Sequence, residues 1–202
     1  MTTATEASKP DSRLKGKDLI NIGIYTAIYG LAMIVVGFLG FIPIFIPLLA
    51  VLVPLLGGIP FMLYLTKVKK PGMIAIMGLL LGVLMLATGM GPFTIVTGVV
   101  AGLAAEFTWR WGNYQDVNKA VLTCGVFSMW VIGNFLPFYI GRDAYFATLK
   151  EGFGADYTTT LAGYMPNWML WALIAASFVC GILGGMIGKA LTAKHFVRAG
   201  VA

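Results

Sequence analysis

Residues 19–41 read LINIGIYTAIYGLAMIVVGFLGF, and no charged residue interrupts them. At about 1.5 Å of rise per residue, a helix of this length crosses a hydrocarbon core of about 30 Å. Gly23, Ala27 and Gly30, with Thr26, recur three or four positions apart. That spacing sets them on one helical face, where another helix backbone can come close. Arg13, Lys15 and Lys17 stand just before the run and are expected to hold its start in the cytoplasm. The rest of the chain has the same character: of its 202 residues 59% are hydrophobic and 11% charged, with a mean hydropathy of +0.88. An average soluble domain has roughly 25% charged residues. The composition therefore predicts an all-α membrane protein, a compact bundle of about six transmembrane helices joined by short loops.

The expected layout is a polar N-terminal tail over 1–18, spans near 19–41, 44–66, 73–90, 93–111, 118–140 and 165–191, and a tail over 192–202. The second span carries Pro47, Pro54 and Pro60 with Gly57 and Gly58. Interior prolines remove a hydrogen bond and crowd the preceding turn, so a kinked or interrupted helix is expected there. Gly78 and Gly82, Gly98 and Gly102, and Gly181, Gly184, Gly185 and Gly188 form small-residue pairs in later spans. The only long interruption is 141–164, which is polar and has room for a short surface helix around Tyr145 to Lys150. Pro166 is expected in the first turn of the last span.

Charge sets the orientation. With six spans and both ends on one side, that side collects Lys9, Arg13, Lys15, Lys17, Lys67, Lys69, Lys70, Arg110, Lys119, Lys189, Lys194 and Arg198. The other side holds Arg142 and Lys150. This bias predicts cytoplasmic termini and an external 141–164 loop in a cell (plasma) membrane protein. The net charge of +6 is explained by these helix ends and calls for no nucleic acid.

Chemistry-bearing residues are few. Cys124 and Cys180 lie in apolar runs, and the only histidine is His195. Neither a metal site nor a cofactor is expected. There is no Walker A sequence and no intramembrane nucleophile–base set, so the chain is read as no enzyme. Glu106 lies near a span end with Arg110 four residues on. It is read first as half of an interfacial ion pair and second as a contact to a partner.

Polar and aromatic residues gather at the opposite ends of the spans. Trp130, Asn134, Tyr139, Arg142, Tyr164, Asn167 and Trp168 are the candidate substrate-binding set, with Thr88, Thr94, Thr97, Tyr145 and Trp171 nearby. Small-molecule sites are mostly apolar and aromatic with a few placed polar groups. Trp168 and Trp171 fit an interfacial aromatic belt equally well. Asn134 sits inside a span, where an amide needs a partner from another helix or a substrate. Arg142 is the cation nearest the set, and an anionic substrate would find its countercharge there.

The KGKDLINIGIYTAIYG start and the GVVAGLAAEFTWRWG end of the fourth span resemble the substrate-binding S components of energy-coupling factor (ECF) transporters, and more narrowly the Trep_Strep group of membrane proteins. The resemblance implies a subunit that captures a vitamin or other micronutrient from outside. It implies docking on a transmembrane coupling subunit bound to two ATPases, through an Ala-xxx-Ala-like face on the first helix. Gly23 and Ala27 match that spacing, with Gly30 beyond them, and Gly23 stands where the motif has its first alanine. The competing readings are a membrane scaffold, in which the glycine faces only pack the bundle, and a small enzyme using Arg142 and Asp143 at the interface.

Overall fold

The computed structural model describes residues 13–198. Parts of both expected tails, 1–12 and 199–202, lie outside the described residues. Within them the chain is helical and has no strand: α1 Gly16–Gly37, α2 Phe45–Leu65, α3 Met73–Ala87, α4 Phe93–Trp111, α5 Val117–Ser128, α6 Arg142–Phe153, α7 Ala155–Tyr164 and α8 Met169–Arg198. The all-α class is as the sequence predicts. Three stretches are long and apolar enough to cross a membrane, Gly16–Phe41, Phe45–Leu65 and Met169–Ala193. Rows of exposed apolar side chains, such as Ile20, Ile24, Ile28, Leu31 and Val35 on α1, face outward. Such rows suit a surface solvated by lipid.

Helices α1 to α5 and α8 pack against one another as the legs of a bundle. At the basic end, Lys70 in the α2–α3 loop bonds Asp18 of α1 at 2.6 Å and the Arg13 carbonyl at 2.9 Å. Lys189 of α8 reaches Asn118 of α5 at 3.3 Å. At the far end, the Tyr157 hydroxyl of α7 donates to the Gly40 carbonyl at 2.6 Å. Burial pushes the Tyr157 hydroxyl pKa up, which keeps it a neutral donor.

Glycines make the seams. Gly58 of α2 lies on the backbone of Gly184 of α8, and a Cβ on Gly184 would come within 2.5 Å of the Pro54 carbonyl oxygen. Gly78 and Gly98 meet backbone to backbone between α3 and α4, while a Cβ on Gly82 would sit 2.6 Å from the Ile95 Cα. Gly181 and Gly185 press on Gly125, Ser128 and Cys124 of α5. Apolar side chains gain little by leaving lipid for protein, so close backbone approach is what such seams supply.

Three elements differ from the sequence reading. Of the kinked or interrupted helix expected in the second span, the interruption is absent: Phe45–Leu65 is continuous with Pro54 and Pro60 inside it. Pro54 frees the Ala50 carbonyl four residues back, and the Ser177 hydroxyl of α8 donates to that oxygen at 3.2 Å. A neighbouring helix thus replaces the lost bond. The fifth leg stops being α-helical at Ser128 and continues as 3₁₀ turns over Met129–Asn134 and Leu136–Phe138. Two causes lie at hand. The Ser128 hydroxyl bonds back to the Cys124 carbonyl at 2.8 Å, a contact that competes with regular helix, and Thr97 of α4 takes the Trp130 carbonyl at 2.9 Å. The 141–164 segment forms two helices rather than one short one, and α8 begins at Met169, whose N–H bonds the Pro166 carbonyl at 2.9 Å. Pro166 belongs to the turn before the helix.

The seams give a paired test. Gly58→Val should lower stability by about 1–3 kcal/mol, the range for overpacking a filled site. Gly23→Val, where nothing lies within 4 Å, should leave it within about 0.5 kcal/mol. Thermal unfolding in detergent reads both.

Candidate functional site

The far-end set is only partly assembled. Trp130 is a core residue, 1% exposed, and its indole N–H donates to the Tyr29 hydroxyl of α1 at 3.1 Å. Tyr29 and Phe127 continue this aromatic contact edge to face. The polar handle of Trp130 is therefore used inside the bundle. Asn134 closes the 3₁₀ turn above it, and its Oδ1 is buried with no hydrogen-bond partner. Among the described residues the other such oxygen is Thr26 Oγ1. Buried polar atoms left unpaired cost on the order of 1–3 kcal/mol, so Asn134 Oδ1 is an acceptor in want of a donor.

Arg142 does something the sequence did not suggest. Its Nη1 donates to the Phe138 carbonyl at 3.0 Å and the Met165 carbonyl at 2.7 Å, and Nη2 reaches the Ala162 carbonyl at 3.4 Å. The guanidinium also stacks over Phe146, 4.7 Å from the ring centre. A cation on the last carbonyls of a helix satisfies orphan acceptors and suits the dipole. Arg142 thus fastens α6 to the C-terminal end of α7. Tyr139 joins the same knot through its hydroxyl, 3.6 Å from the Met165 sulfur. Tyr164, Asn167 and Trp168 lie on the surface, with Trp168 64% exposed. The structure brings Tyr139 and Arg142 together, buries Trp130 and leaves the last three residues outward, as a belt would.

Shallow concavities on the outer wall include two that bear on the expected set. One, of about 390 Å³, lies between α2 and α8 and is lined by apolar groups including Pro47, Leu48, Met169 and Leu173. The other, of about 350 Å³, is formed by Phe107, Arg110 and Trp111. Neither is lined by the expected substrate residues.

The partner face divides. Gly23 and Ala27 are exposed on α1, with nothing within 4 Å of a Cβ on Gly23. Gly30 is buried, and a Cβ there would come within 2.5 Å of Leu84 of α3. Gly23 and Ala27 therefore form an open surface, while Gly30 packs the bundle.

Glu106 turns inward rather than toward Arg110. It is 8% exposed. Its Oε2 accepts the Ile74 N–H at 2.8 Å and its Oε1 the Tyr114 hydroxyl at 3.3 Å. It caps the first turn of α3 from a neighbouring helix, where a carboxylate meets unpaired N–H groups and the positive end of the dipole. Tyr114 stands in the left-handed region with φ of 58°, an uncommon place for a bulky residue, and its ring packs edge-on against Trp109. The Trp109 indole donates to the Val68 carbonyl at 3.1 Å, and the Tyr64 hydroxyl to the Met73 carbonyl at 2.8 Å. The α2–α3 loop is thus held by side chains of α2 and α4. A helix start at Met73 with no capping side chain of its own was the available sequence signal, but it does not say which acid answers it. Among the described residues no three His, Cys, Asp or Glu gather to hold a metal ion.

The lipid-suited outer rows and the long apolar helices define an all-α integral membrane protein. Residues 16–198 match the family described as a hypothetical bacterial integral membrane protein (Trep_Strep). The chain belongs to that family. No curated protein and no solved structure matches it.

Arg142→Ala should loosen the far end without melting the bundle. Hydrogen exchange of α7 should speed up by about tenfold or more, as loss of charge-assisted bonds of about 1.5–3 kcal/mol implies. Exchange in α3 and α4 should stay unchanged.

Proposed function

We propose that the chain is the substrate-capture (S) subunit of an ECF-type importer in the bacterial cell membrane. The observation that carries this reading is the open Gly23–Ala27 surface of α1. The glycine pairs of α2, α3, α4 and α8 are covered by other helices of the same chain, whereas this one faces outward and suits the backbone of a partner helix. In this reading all six legs cross the membrane, both termini are cytoplasmic and the far end faces outside. The partner is a transmembrane coupling subunit carrying two ATPase subunits. The chain performs no catalysis and uses no cofactor.

Substrate enters at the far end beneath α6 and α7, and the unpaired Asn134 Oδ1 accepts a hydrogen bond from it. Arg142 is already bonded to three carbonyls, so it offers an anion little without giving those up. The chemistry favours a neutral micronutrient with a donor group. A scaffold role is the second reading. It is favoured by the internal use of Trp130 and Arg142 and by concavities that miss the expected set.

Two experiments test the proposal. A cysteine in place of the exposed Thr159 should react with a membrane-impermeant maleimide in intact cells. One in place of the exposed Gln115 should react only after permeabilisation, and the reverse pattern overturns the orientation. Ala27→Trp should abolish uptake and copurification with the ATPase pair while leaving the protein inserted. Unchanged copurification would exclude α1 as the docking face.

A further inference from the structure

We propose that the notch at the basic end of α4 binds an anionic phospholipid, independently of the transport reading. Phe107, Arg110 and Trp111 stand at i, i+3 and i+4, so they share one face of α4. Together they line the open concavity of about 350 Å³. Phe107 is 73% and Trp111 67% exposed. The same face continues up the helix through the exposed Leu103, Val100 and Val96. From Val96 to Phe107 this track is about 16 Å long at 1.5 Å per residue, close to half of a hydrocarbon core of about 30 Å. It is an apolar path of one leaflet's depth that ends at a cation.

The charge at that end is unspent. Arg110 is exposed, and no protein group among the described residues hydrogen-bonds its guanidinium. Lys119 of α5 places its Nζ 3.6 Å over the Trp111 ring centre, a second positive charge on the ring of the residue that follows Arg110. Of the two nearby acids, Asp116 uses its Oδ1 to cap α5, accepting the Asn118 and Lys119 N–H groups at 2.8 and 3.2 Å. Glu106 uses both oxygens inside the bundle, on Ile74 and Tyr114. A phosphodiester set between Arg110 and Lys119 gains charge-assisted bonds in a fork geometry suited to phosphate. Its acyl chain lies on Phe107, Leu103, Val100 and Val96, and the Trp111 ring sits at headgroup level where indoles collect. A soluble anion uses only the cationic part of this arrangement, which is why the proposal commits to a lipid.

The test uses the full chain in vesicles of phosphatidylcholine containing dibrominated phosphatidylglycerol or, in parallel, dibrominated phosphatidylcholine. Quenching of Trp111, isolated as the difference from Trp111→Phe, should report about tenfold preference for the anionic lipid, as two interfacial cations allow. Arg110→Gln with Lys119→Gln should reduce that preference to within about twofold, whereas Lys150→Gln at the far end should leave it intact. Native mass spectrometry should show one phosphatidylglycerol retained by the wild type and lost in the double variant. Equal quenching by both lipids in the wild type, an unchanged preference in the double variant, or displacement of the lipid by millimolar inorganic phosphate would overturn the proposal. Unchanged helical circular dichroism of the double variant separates loss of the site from loss of the fold.

Discussion

Backbone lying on backbone at Gly58 and Gly184 is the contact on which the bundle depends. Inside a membrane, apolar side chains gain little by leaving lipid for protein, so helices associate through close packing and the weak Cα–H bonds that closeness allows. Gly188 on the Gly58 carbonyl extends the same seam, and Ser177 bridges to Ala50 along it. That bridge is available only because α8 lies so near α2. Pro54 is tolerated within a continuous helix for the same reason. The α3–α4 seam repeats the device with Gly78, Gly82, Gly98 and Gly102, and Thr94 bonds the Gly82 carbonyl across it at 3.0 Å.

Once these seams are closed, the ends of the bundle are finished by side chains reaching across. Glu106, Trp109 and Tyr64 hold the α2–α3 loop and the start of α3 at one end. Arg142 and Tyr157 hold α6 and α7 at the other. Polar residues of a membrane protein are commonly read as functional, and here most of them serve unpaired backbone groups. The open Gly23–Ala27 surface and the unpaired Asn134 Oδ1 are among the features that escape that use. The proposed docking and capture roles rest on them.

The class of the fold was legible because apolar length and charge placement are local properties of the chain. What sequence could not supply was which neighbour answers which unpaired group. The prolines of α2 left a kink and an interruption both open, because the Ser177 hydroxyl that answers the Ala50 carbonyl lies 127 residues away. Glu106 was assigned to Arg110 four residues on, while its partner Ile74 is 32 residues back in the chain. Arg142 looked free because carbonyls 4, 20 and 23 residues distant are invisible to spacing. The fifth leg read as a plain helix because the pull of Thr97 on the Trp130 carbonyl is a tertiary effect. Gly30 shares the spacing of Gly23 and Ala27, and only the position of Leu84 tells them apart.

The account turns on α1 offering a surface that the other described residues leave uncovered, and in-membrane photocrosslinking measures this directly. A photoreactive amino acid is placed at Ala27 or, as a lipid-facing control, at Val100, and the products formed in native membranes are identified by mass spectrometry. The account predicts that the Ala27 probe captures the transmembrane subunit of an ATPase-driven importer and that the Val100 probe does not. Lipid adducts alone at Ala27, or the same products from both positions, would contradict it.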